Sequence, residues 1–121
     1  MSTRSQIAYI DPETDQILSS YCHYDGYLDG VGQELLDNYN SFDRAKELVD
    51  GGEMRFPGNY FGKDQNQKLA SRFETLLEWT EYGKEAWADY MYIYSEGGWS
   101  VIHNNKTKWL AGEVLKVVAS C

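Results

Sequence analysis

Three residues with reactive side chains fall within four positions, Cys22, His23 and Asp25, and a second imidazole, His103, lies far downstream. A thiol beside a base that a carboxylate orients is the arrangement of covalent catalysis. Cys22 as nucleophile, His103 as base and Asp25 as orienting group would make a small hydrolase or transferase, if the two hairpins lie side by side. His23 with Asp25 could instead act as a general base alone. Each group also has a structural counterpart. A cysteine in an alternating strand is usually a small buried hydrophobe, and a His–Asp pair can simply fix a strand end. No metal or cofactor is expected. Neighbouring residues of a strand face opposite ways, so Cys22 and His23 do not readily share an ion. No second Cys/His pair completes the four ligands of structural zinc, and Asp25 and Asp29 lack the order of a calcium loop. The glycines of Asp25-Gly-Tyr-Leu-Asp-Gly-Val-Gly could cradle a phosphate, but two aspartates occupy that loop and no base lies between Arg4 and Arg44. Both facts argue against an anion.

The elements around this cluster follow from pattern. Ile7 to Ile10 and Ile17 to Tyr24 are β-branched and aromatic runs flanking Asp-Pro-Glu-Thr-Asp-Gln, which reads as a β-hairpin. The second strand would put Ile17, Ser19, Tyr21 and His23 on one face and Leu18, Ser20, Cys22 and Tyr24 on the other. Tyr21, Tyr24 and Tyr27 would pack a corner that Gly26 and Gly30 allow to turn, with Asp25 or Asp29 capping the helix that follows. That helix carries Val31, Leu35 and Tyr39 on one face. Ser41 caps the next, whose apolar side is Phe42, Ala45, Leu48 and Val49 and which Gly51-Gly52 stops. Residues Glu53 to Lys63 show no period and read as a loop. From Asp64 to Tyr82, Leu69, Phe73, Leu76, Leu77 and Thr80 predict the longest helix, closed by Gly83. Residues 108–119 suit either a helix or a strand.

Tyr90-Met-Tyr-Ile-Tyr, Ser-Glu-Gly-Gly and Trp99-Ser-Val-Ile form the clearest hairpin, with Gly97-Gly98 supplying the turn. That register sets Ile93 opposite Ile102, Tyr94 opposite Val101 and Tyr92 opposite His103. Tyr90, Tyr92, Tyr94 and Trp99 then share one face, and Met91, Ile93 and Ile102 the other. If the aliphatic face meets the helices, the tyrosine face is left for a partner, since tyrosine and tryptophan anchor interfaces. Two hairpins and about three helices predict an α+β domain: a small antiparallel sheet with the helices packed on one face.

At 121 residues the chain is long enough for a single core, and 42% hydrophobic residues mark a globular composition rather than a disordered one. The formal charge is −8. Residues 1–60 hold eleven acids and four bases, a balance of −7, whereas residues 61–121 hold eight and seven, a balance of −1. Such a surface repels double-stranded nucleic acid and suits a basic protein surface better. No apolar run reaches membrane-spanning length, and the start lacks the apolar core of a signal peptide, so an intracellular location is expected. With only Cys22 and Cys121 available, no structural disulfide is expected.

Thr3-Arg-Ser-Gln-Ile-Ala, Tyr21-Cys-His-Tyr-Asp-Gly-Tyr, and Val31-Gly leading into a helix that ends at Tyr39 together resemble a family of small uncharacterised proteins of tailed bacteriophages and prophages. Members often show tryptophan where this chain has Tyr24. The resemblance covers the N-terminal third, the late aromatic hairpin also fits, and Glu53 to Lys63 is only loosely similar. It implies an origin and no reaction. Together with the acidic first half, it leads to an expected role as a non-enzymatic accessory protein that binds a host or phage protein in the host cytoplasm. Two other readings stand beside it. One is the Cys22 or His23 hydrolase or transferase using Asp25; the other is a binder of a small nucleotide-like ligand between tyrosines. The oligomeric state is left open.

Overall fold

The computed structural model describes residues 3–61, 69–95, 97–104 and 106–119. Its frame is a mixed sheet of eight strands among the described residues: β1 (Ser5–Ile10), β2 (Ile17–Cys22), β3 (Met54–Phe56), β4 (Asn59–Tyr60), β5 (Ser71–Phe73), β6 (Tyr90–Ser95), β7 (Gly98–His103) and β8 (Lys106–Trp109). They lie in the order β4-β3-β2-β1-β6-β7-β8, and β5 pairs with the other half of the outer edge of β2. The hairpins β1–β2, β6–β7 and β7–β8 are antiparallel, while β1–β6 and β2–β3 are parallel. Parallel neighbours need long crossovers, and the helices supply them. Between β2 and β3 the chain makes a short π-helical turn at Leu28–Gly32, α1 (Gln33–Asn38) and α2 (Phe42–Asp50); α3 (Leu76–Glu85) leads into β6, and α4 (Leu110–Ala119) follows β8.

Alternation along the strands builds two cores. On the first face Ile7, Tyr9, Cys22, Tyr92, Tyr94, Trp99 and Val101 pack with Val31, Leu35, Ala45, Leu48, Val49, Leu110 and Val114. On the second face Ala8, Ile17, Met91 and Ile93 pack with Trp79 of α3. The Trp79 indole N–H donates to Ser19 Oγ at 2.9 Å, and that hydroxyl donates to Gln6 Oε1 at 2.8 Å, which satisfies three buried polar atoms under one helix. Helices therefore cover both faces.

The expected small antiparallel sheet with helices on one face is thus corrected. Two parallel pairings and four short strands enlarge it, and two to four residues are too few to carry a readable period. Within the predicted loop Glu53 to Lys63, β3 and β4 form a hairpin through Pro57 and Gly58 (φ +85°), as a type II turn requires. Of the predicted helix Asp64 to Tyr82, residues 64–68 lie outside the described residues, Ser71–Phe73 is a strand, and the helix begins at Leu76 behind its Thr75 cap. Gly83 lies inside that helix, where a side chain would strike Met91. The late hairpin sits two residues away from the expected register, with Tyr94 opposite Trp99 and Tyr92 opposite Val101. A slip of two preserves which side chains share a face. Residues 108–119 divide between β8 and α4.

Candidate functional site

Four of the proposed reactive positions gather at one end of the sheet without converging. Cys22, Ser5, Tyr90 and His103 stand in one row across β2, β1, β6 and β7. Three strand spacings, about 14 Å, therefore separate the thiol from His103. Cys22 is a fully buried thiol outside any disulfide, with its pKa pushed up to about 12, first by burial, although hydrogen bonding by Ser5 and by the Tyr24 backbone works against that rise. A nucleophilic thiolate requires the opposite environment. His23 shares a 2.6 Å hydrogen bond with the Tyr21 hydroxyl and packs edge-on to Tyr24 at 4.5 Å. Asp25 accepts from the Tyr27 hydroxyl at 3.0 Å. Among the described residues, no three His, Cys, Asp or Glu side chains are grouped to hold a metal. Cys121 lies outside the described residues.

The corner itself is built by backbone. Gly26 N–H donates to the Thr3 carbonyl, Val31 N–H donates to the Asp25 carbonyl, and the Tyr92 hydroxyl donates to the Gly26 carbonyl at 2.6 Å. A Cβ on Gly26 would lie 2.7 Å from the Thr3 oxygen, and one on Gly30 would meet the Asp25 carbonyl and the Tyr27 ring. Close approach is what requires these glycines; the left-handed residue of the corner is Asp25, at φ +55°. Neither Asp25 nor Asp29 caps the helix. Tyr27 occupies that position without a side-chain bond, and Asp29 lies within the π-helical turn.

The aromatic face also has to be corrected. Tyr92, Tyr94 and Trp99 are 0, 7 and 2% exposed and belong to the main core. They are covered because α1, α2 and α4 settle on this side, leaving α3, among the described residues, as the one helix on the aliphatic side. They offer no surface to a partner and no slot between tyrosines for a ligand. Tyr90 is partly buried, stacked on His103 at 4.0 Å with 7° between the rings. The His103 Nδ1 lies 2.7 Å from the Asp89 carbonyl. A carbonyl only accepts, so Nδ1 is the donor in this contact.

The surface that remains open is on the second face. One helix cannot span it, and between α3 and the β6–β7–β8 side runs a groove of about 510 Å³. Leu76, Leu77, Met91 and Ile102 form its apolar lining, and Lys84 and His103 are among its polar groups. Leu77 is 67% exposed at this groove, and Trp87, beside the groove residue Ala88, is 76% exposed. Trp87 also sits at φ +61°, at the left-handed position of a Schellman motif: its N–H reaches the Lys84 carbonyl, and Ala88 N–H reaches Gly83. Trp109 of β8 is 63% exposed on the same face of the sheet. The periodicity predicts Leu76 and Leu77 on a helical core face, whereas Trp79 and Gly83, four residues apart, form the buried stripe. The signal that could have revealed this is Thr75-Leu-Leu-Glu78, a capping pattern in which Thr75 Oγ1 accepts from the Glu78 N–H and Glu78 reaches back to the Glu74 N–H.

No family model, curated protein or solved structure matches the chain. No helix among the described residues is long and apolar enough to cross a membrane.

Proposed function

We propose that this chain is a non-enzymatic binding protein, a phage-type accessory protein that engages a host or phage protein in the host cytoplasm through the groove beside α3. The observation that carries the reading is the pair of exposed leucines, Leu76 and Leu77, lining a groove on an incompletely covered sheet face, with the exposed Trp87 next in sequence to the groove residue Ala88. Grouped exposed hydrophobics mark interaction surfaces, and tryptophan at an interface contributes more than its share of the binding energy. Trp87 adds weight, because a bulky residue in a left-handed conformation is held there against its own backbone preference. The likeness of Thr3-Arg-Ser-Gln-Ile-Ala and Tyr21-Cys-His-Tyr-Asp-Gly-Tyr to phage proteins supports the origin. The buried, protonated Cys22 and its distance from His103 weigh against nucleophilic catalysis.

The test is recovery of partners from bacterial lysate with the parent and with Leu77→Asp, whose exposed position leaves the core untouched. A protein that the parent retains and the variant loses supports the groove. If Leu77→Asp retains everything the parent does, the reading fails.

A further inference from the structure

The sheet ends on β8, and all four of its residues are exposed. Among the described residues no strand pairs with its outer edge, so that edge presents unpaired backbone donors and acceptors. Its side chains are sorted by face. Lys108 lies opposite Val101 and Lys106 opposite His103, on the first face; Thr107 lies opposite Ile102 and Trp109 opposite Ser100, on the second. Thr107 lines the groove beside α3. Lys106 and Lys108 line a separate cleft of about 230 Å³ on the first face, together with His103 and Asn104.

This sorting decides what can pair there. In a two-fold antiparallel pairing of β8 with a second copy, a register centred on Thr107 sets Lys106 against Lys108. One centred on Lys108 sets that lysine against itself. Like charges directly opposite are unfavourable, so the edge rejects its own copy. A strand with acidic residues at alternate positions meets the reverse situation. Its acids fall beside Lys106 and Lys108 on the first face, and the residues between them fall beside Thr107, Trp109 and the groove. Glu113 already holds Lys108 at 3.1 Å, an acidic group on that lysine supplied by the chain itself. The site repeats the chemistry outward.

We propose that β8 accepts an added strand: an extended segment of a partner protein that alternates acidic with apolar side chains. This names the partner's chemistry for the groove reading and rests on it. Main-chain hydrogen bonds would hold the segment, and the alternation would select it.

The probe is a fluorescein-labelled hexapeptide alternating glutamate and valine, titrated against the full chain by fluorescence polarisation. Saturable binding is expected, weakening by about tenfold or more in high salt and by about tenfold in K106E, where an attractive neighbour becomes a repulsive one. A lysine–valine peptide should bind K106E better than it binds the parent. Backbone pairing is read with two further peptides, N-methylated at the glutamates or at the valines. Alternate N–H groups of an added strand face β8, so one of the two should lose binding and the other keep it. No saturable binding by the parent, equal binding by both methylated peptides, or indifference to K106E would each overturn the proposal. If the peptide fails while Leu77→Asp still abolishes capture, the edge is refuted and the groove stands. If Leu77→Asp changes nothing, the groove reading is the one refuted.

Discussion

Burial sets the state of the reactive groups residue by residue. Cys22 is enclosed on the first face, and burial is the leading cause that lifts its thiol from 9.0 to about 12. Tyr92 is raised from 10.0 in the same direction, again chiefly by burial. In the fold both groups stay protonated where the unfolded chain has begun to ionise. A folded pKa above the unfolded one gives stability that is whole below the unfolded value and is lost as pH rises toward the folded value. For Cys22 that window opens near 9.0 and closes near 12. Urea midpoints should hold steady from about pH 7 to about pH 9 and then fall, with each group contributing up to roughly 1.4 kcal/mol per pH unit. A Cys22→Ala chain will be less stable throughout because of its cavity, but its decline above about pH 9 should be shallower. Parallel slopes for parent and variant would show that the thiol ionises freely in the fold.

The elements show where local rules were kept and where one was broken. Ser41 and Thr75 cap α2 and α3 through side-chain oxygens that accept from Arg44 and Glu78, as their positions in the sequence suggest for any helix start. At the other end of α3 the residue at the left-handed position is Trp87 rather than glycine. Replacing it relieves the backbone and removes only an exposed side chain. Trp87→Gly should therefore raise stability by about 1 kcal/mol in thermal or urea unfolding. The same variant should recover less of any partner held at the groove. A loss of stability would mean that the indole packs in the fold rather than waiting for a partner. Strand β8 follows its own rule, since lysines on an exposed edge guard against pairing between copies.

Charge is the property that belongs to the whole molecule. With a formal −8 spread unevenly along the chain, the long-range field repels polyanions, and only short-range features such as Lys106 and Lys108 act against it. Double-stranded DNA should show no saturable binding at micromolar protein and moderate salt in a polarisation assay. Salt-sensitive binding would reveal that the lysines around β7 and β8 act as a nucleic-acid surface.

Much of the local structure was determined by the sequence alone. The β1–β2 hairpin, the faces of β2, the caps of α2, the apolar stripe Ala45, Leu48 and Val49, and the aromatic and aliphatic sides of β6 all follow from interactions between near neighbours. Side-chain alternation and capping depend on a few adjacent residues, so a single chain displays them. The parallel pairings β1–β6 and β2–β3, and the choice of which side of β6 faces three helices, depend on residues dozens of positions apart. Tyrosine and isoleucine both bury well, so the pattern of β6 showed two faces without ranking them. Only the tertiary structure decided that Tyr92, whose hydroxyl reaches the Gly26 carbonyl, lies in the main core. The same decision left α3 as the one helix on the second face among the described residues and opened the groove beside Leu77. The candidate site was not legible because it is made by what the packing leaves uncovered, and no local pattern encodes an uncovered surface.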